Sequence, residues 1–122
     1  MAPAAARYAH GVHVAGANDV VFTSGVVPVR GDGTVPDRIE DQARLVWQNI
    51  SAILAEVSLS IADIVSVTTY VVSSDDLSER LALVMAERDS AMGNVRAAST
   101  LVTVPALAQP AWKMEIAVIA AR

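Results

Sequence analysis

Cysteine is absent from the 122 residues, which excludes a disulfide framework and thiolate chemistry and fits a reducing compartment. Histidine is scarce: His10 and His13 are the only two, and their spacing would put them on opposite faces of a strand, so no metal site is expected. Aromatic residues number five, so a core has to be packed from Val, Ala, Leu and Ile. Nothing approaches the roughly 18 apolar residues of a membrane span. The Ala-rich start, Met1 to Ala6, is too short for a signal-peptide core and runs straight into Arg7 and Tyr8. The expectation is a cytoplasmic chain with no membrane partner. Lys and Arg form no cluster, and a net charge of -4 with a pI near 4.9 argues against a nucleic-acid partner, whose phosphates are held by concentrated positive charge.

What remains is apolar. With 53% apolar and 18% charged residues, the chain carries more apolar surface than a small monomer usually hides, and its length predicts one domain over residues 1–122. Val12 to Val14 and Val20 to Val27 flank the turn residues Gly16, Asn18 and Asp19 and predict a hairpin. Gly25 interrupts its second strand, where either a bulge or the close approach of a ligand would suit. Gly31-Asp-Gly33 lacks the context of a phosphate-cradling motif and reads as a turn.

Asp37, with Glu40 three residues on, predicts a helix N-cap. The apolar stripe that follows is Ile39, Ala43, Val46, Trp47, Ile50, Ile53, Leu54 and Val57. Ile64 to Val72 is β-branched nearly throughout and apolar on both faces, with Val65, Val67 and Val71 on one and Ile64, Tyr70 and Val72 on the other, as suits a central strand. Ser73 to Asp76 predict the cap of a second helix, striped by Leu77, Leu81, Val84 and Met85 and ended by Gly93. Asp75 and Asp76 read as capping groups, because neighbours at i and i+1 on a helix do not face each other. Two strands close the chain, over 100–104 and 113–119. The order β-β-α-β-α-β-β predicts an α+β fold, a mixed sheet with two helices on one face, and leaves the second face to a partner subunit. Glu115 stands alone in the last apolar strand. It either points to solvent or serves a site, and alternation alone does not decide.

Five stretches carry a family resemblance: Tyr8-Ala-His-Gly-Val12, Val21-Phe-Thr-Ser-Gly25 with Pro28 beyond it, Ile39-Glu-Asp-Gln42 running on to Asn49-Ile50, Asp63-Ile-Val-Ser-Val-Thr-Thr-Tyr70, and Glu115-Ile-Ala-Val-Ile119. Along nearly the whole chain they resemble the Rid/YjgF (RidA-like) family of small enamine/imine deaminases. The resemblance implies a chorismate-mutase-like homotrimer with strands inside, helices outside, and a small-molecule cleft at each subunit boundary. It implies that Glu115 matches the carboxylate that helps position water and that Tyr8, Ser24 and Gly25 line the cleft. His10, two residues after Tyr8, is a further candidate for the lining, and no cofactor is expected.

One departure stands out. The family's Arg, set in Pro-Ala-Arg-Ser or Pro-Ala-Arg-Thr, holds the substrate carboxylate, and Ser99 in Ala97-Ala-Ser-Thr100 matches its position. Arg96 is the alternative occupant and needs a larger insertion before Glu115. Ser offers one neutral hydrogen bond where Arg offers two charge-assisted ones. Two functions stay open: hydrolysis of reactive imines or enamines to carbonyl compounds and ammonia, with an altered substrate preference, or small-molecule binding by a non-catalytic, pathway-accessory protein that keeps the cleft. A ribonuclease activity gets little support from an acidic chain.

Overall fold

The computed structural model describes residues 1–122. Its elements are strand β1 (Val20–Phe22), helix α1 (Ile39–Ala55), strand β2 (Ile64–Val72), helix α2 (Leu77–Met92), strand β3 (Ala98–Val104) and strand β4 (Met114–Ala121), with one 3-10 turn at Ile61–Asp63. The strands form one sheet in the order β1-β4-β2-β3. β2 and β3 run parallel, and the other pairs are antiparallel. A parallel pair needs a crossover, and α2 supplies it. This is the expected α+β mixed sheet with both helices on one face, short of one strand.

The missing strand is the first. Val12 and Val14 are 41% and 42% exposed and belong to no ladder. Gly16, at φ +67°, turns the chain so that the amides of Asn18 and Asp19 both donate to the carbonyl of Arg122, at 3.0 Å each. That ties the segment to the far end of β4 and denies Val12–Val14 a hairpin partner.

Under the helices, Val67, Thr69 and Val71 register with Val118, Ile116 and Met114, and all six are buried. A bulge between Ile64 and Ser66 inserts Val65, so Ile64 returns to this buried face opposite Ala120. One extra residue reverses the parity that simple alternation assigns to Ile64 and Val65. The other face carries Val20, Phe22, Tyr70, Val102, Ala117 and Ile119, and neither helix covers it. Phe22 is 73% exposed there.

Helix α1 buries Ile39, Gln42, Ala43, Val46, Trp47, Ile50 and Leu54. Ile53 is 40% exposed on the flank of the stripe, and Val57, 49% exposed, lies beyond the helix end. Asp37 does not cap this helix, which begins at Ile39 with Arg38 in the N-cap position and no side-chain cap bond. Gln42 anchors the first turn instead. Its buried amide donates to the carbonyls of Pro36 (2.8 Å) and Ala111 (2.9 Å), and its Oε1 accepts from the amide of Lys113 (2.9 Å). Asp76 occupies the N-cap position of α2, but its carboxylate accepts from the Ser74 hydroxyl (2.6 Å) and pairs with Arg80 (3.0 Å) rather than with a helix amide. Gly93 ends α2 at φ +56°, as expected. No helix is long and apolar enough to cross a membrane.

Candidate functional site

Glu115 lies on the open face of β4, opposite Tyr70 of β2. On its other side the chain after β1 bulges. Thr23 bonds Val118 and Val26 bonds Ile116, so Ser24 and Gly25 together oppose the single residue Ala117. A bulge leaves its extra residue unpaired, and the amides of Ser24 and Gly25 donate to no acceptor in the chain. The bulge also brings Gly25 against the carboxylate. A Cβ built on Gly25 would sit 1.9 Å from Oε2 of Glu115 and 2.9 Å from its Cδ. The bulge reading of Gly25 therefore holds, and the group against its backbone is the Glu115 side chain.

The carboxylate itself is half-buried and enters none of the five ion pairs of the chain. Unpaired acceptor oxygens beside free amides form a polar locus on this open face. Next to it a cleft of about 660 Å³ runs between residues 22–31 and α1, lined by Phe22, Ser24, Gly25, Asn49 and Ile53 among others. Asn49 donates to the carbonyls of Val27 (3.4 Å) and Val29 (3.3 Å) and steadies that wall. Glu115 does not line this cleft.

The other predicted residues gather at the opposite edge of the sheet. Ala9 bridges Ala98 of β3 in parallel, its amide donating to the Ala97 carbonyl at 2.9 Å, which pins Tyr8 and its neighbours beside β3. The Tyr8 ring meets His10 edge to face at 5.8 Å. Ser99 registers with Val67 and so turns toward the helices, where Nη1 of Arg88 approaches its hydroxyl at 3.5 Å. Arg96 turns away. Its guanidinium donates to the carbonyls of Gly93 (3.2 Å) and Val95 (3.4 Å), at the end of α2.

Within one chain the candidates thus form two groups. Ser24, Gly25 and Glu115 lie on the β1–β4 side, and Tyr8, Ser99 and Arg88 lie at β3. Three strand spacings, about 14 Å, separate the outer strands, and Ser99 and Glu115 face opposite sides of the sheet. Arg88 has no place among the residues singled out from the sequence, although a signal existed. It lies four residues after Val84 and four before Met92, on the buried stripe of α2. No three His, Asp or Glu side chains converge, so the site offers no ready ligand set for a metal.

The whole chain, residues 1–122, matches the family model described as Endoribonuclease L-PSP. The Escherichia coli K12 protein named "Putative reactive intermediate deaminase TdcF" is 37% identical over 72 residues, 58% of this chain and 54% of that protein. The mitochondrial protein MMF1 of Saccharomyces cerevisiae is 35% identical over 78 residues, 63% of this chain and 52% of that protein. The chain spans about half the length of the curated relatives it matches. The crystal structure of E. coli TdcF with bound serine superposes with a TM-score of 0.72 at 31% identity, covering 98% of this chain and 91% of that one. The Rid-family protein YyfB of Yersinia pestis, at 24% identity, shares the fold with a TM-score of 0.82 over 95% of this chain and 87% of its own. With a family match over its full length, the chain belongs to the Rid/YjgF family.

Proposed function

We propose that this protein hydrolyses a reactive imine or enamine to a carbonyl compound and ammonia, in a cleft completed by a second copy of the chain. The observation that carries this reading is Glu115, an unpaired, half-buried carboxylate set against Gly25 beside two free amides. An ionised carboxylate is an acceptor only, so a water that donates to it is oriented with its lone pair outward. That water adds through oxygen to the imine carbon and passes a proton to Glu115. Glu115 returns the proton to nitrogen, giving a carbinolamine; its hydroxyl then passes a proton by way of Glu115 to the amino nitrogen as the C–N bond breaks, leaving the carbonyl compound and ammonia. The amides of Ser24 and Gly25 are suited to hold a polar group of the reacting molecule. The name of TdcF and the serine bound in its structure support a small amino-acid-derived substrate.

The assembly belongs to the same proposal. The open face, with Phe22 73% and Val20 51% exposed, calls for cover. A head-to-tail ring would set the Glu115 side of one copy against the Tyr8 and Ser99 edge of the next, joining the two groups that a single chain keeps apart. We take the ring to be a homotrimer. Endoribonuclease activity is not the reading we favour, since a chain of net charge -4 has no basic track for a phosphate backbone.

Release of ammonia from 2-aminoacrylate, formed in situ, tests the proposal. Wild type should accelerate it, and Glu115→Gln should lose about 10²-fold or more in kcat/KM while sedimentation still reports a trimer. A Glu115→Gln protein as active as wild type would refute the assignment. The neutral Ser99 on β3 favours the second reading, binding without turnover. That reading stands if wild type is inert but small ligands raise its melting temperature.

A further inference from the structure

We infer that the connection between β3 and β4, residues 105–112, forms an apolar pocket that takes the side chain of the substrate and selects imines whose side chain is bulky and uncharged. The pocket adjoins the site proposed for deamination, and the inference rests on that reading. No charged residue occurs between Arg96 and Lys113, and in Pro105-Ala-Leu-Ala-Gln-Pro-Ala-Trp112 only Gln109 is polar. Surface connections are ordinarily polar. Here the residues stand exposed or half-buried around a cavity of about 310 Å³, with Val72, Pro105, Leu107, Pro110 and Trp112 among its walls. The cavity is also held open. Gln42, 1% exposed, donates to the Ala111 carbonyl and accepts from the Lys113 amide, at 2.9 Å each, which fixes the backbone on both sides of Trp112. The Trp112 amide donates to the Gln109 carbonyl at 3.1 Å, and the Ser73 amide donates to the Val104 carbonyl at 2.9 Å at the other end. Pro105 and Pro110 fix two further φ angles. A preformed apolar concavity needs little ordering when a ligand fills it.

Strand register sets this pocket beside Glu115. Glu115 opposes Tyr70, and Tyr70 opposes Val102. Two residues beyond Tyr70, on the same open face of β2, Val72 opposes Val104 and enters the pocket wall. Two residues along a strand span about 6.7 Å. A reacting carbon held at Glu115 therefore lies within reach of the pocket for the side chain of a leucine- or phenylalanine-type imine, whereas the methyl group of an alanine-type imine stops short of it. Lys113, the charged neighbour of Val72, turns its ammonium to the carbonyl of Asp37. A charged side chain entering the pocket would find no partner there and would lose its water.

Calorimetry with two 2-oxo acids, 4-methyl-2-oxopentanoate and pyruvate, tests the pocket without turnover, because the two differ only in the side chain. Wild type should bind the first about tenfold more tightly or better, since a single methylene in an apolar pocket already gives about tenfold. Its tryptophan emission should shift on binding, and Trp112→Phe should abolish the shift, Trp47 being buried in the core. Leu107→Asp, which sets a carboxylate in the wall, should narrow the preference to about twofold or less. Ala108→Glu, at an exposed position, carries the test if Leu107→Asp fails to fold. Equal binding of the two acids by wild type, a preference that survives both substitutions, or no binding of either acid at millimolar concentration overturns the inference. So does a Leu107→Asp protein that dissociates with its preference intact, because a neighbouring copy then covers the pocket. A wild type that prefers 4-methyl-2-oxopentanoate but releases no ammonia from the leucine-derived imine would refute the deaminase reading and uphold the pocket. Ammonia release with no such preference would do the reverse.

Discussion

Gly25→Ala puts the central contact of the candidate site to a quantitative test. The new methyl group would sit 1.9 Å from Oε2 of Glu115, so the carboxylate has to move. The backbone does not resist, because the φ of Gly25 lies outside the left-handed region. Pushing the end of one flexible side chain off its rotamer costs about 0.5–1.5 kcal/mol. Against this, Gly→Ala at a compatible backbone position gains about 0.4–1 kcal/mol by restricting the unfolded chain. The net change in urea stability should be within about 1 kcal/mol. Activity should respond far more, since displacing a catalytic group by about 1 Å can cost 10²-fold. In the Glu115→Ala background the clash is gone, and Gly25→Ala should become neutral or stabilising. The double-mutant cycle should then show a coupling of about 1 kcal/mol in stability and near-complete non-additivity in ammonia release. Full activity in Gly25→Ala, or a stability cost equally large without Glu115, would refute the contact.

Two further outcomes are expected. Gln42→Leu would leave the Pro36 and Ala111 carbonyls and the Lys113 amide without their partner, so it should destabilise by about 2–4 kcal/mol in urea and raise amide exchange around residue 113; a loss under about 0.5 kcal/mol would mean water replaces the amide. The Ser74 hydroxyl and nearby Arg80 hold the Asp76 carboxyl below its ordinary 3.8, and the Thr34 hydroxyl and amide do the same for Asp32. Because these folded values are depressed, their contribution to stability is whole above the ordinary value and is lost as pH falls through the lower folded one. The stability of Asp76→Asn should therefore fall less steeply than that of wild type below about pH 4, and parallel pH profiles would discount Asp76.

Elements whose signal is local were legible in the residues alone. The 3.6-residue recurrence of Ala43, Val46, Trp47, Ile50 and Leu54 determined α1, β-branching over 64–72 determined the central strand, and Gly93 marked the end of α2. Burying an amphipathic stripe is a short-range demand, so it is written in neighbouring residues. The family was legible for a related reason, since its motifs lie in contiguous stretches. Tertiary structure decided what depends on pairing. Val12 and Val14 have a strand's composition but no ladder, because Asn18 and Asp19 bond Arg122 instead. The bulge at Val65 reverses a face that simple alternation assigns otherwise. The meeting of Gly25 with Glu115, and of Arg88 with Ser99, brings together residues from different elements whose side chains touch only once strand register and helix packing are set. Side-chain faces follow parity along a strand, and a single inserted residue or a missing partner, neither visible locally, changes that parity for everything beyond it.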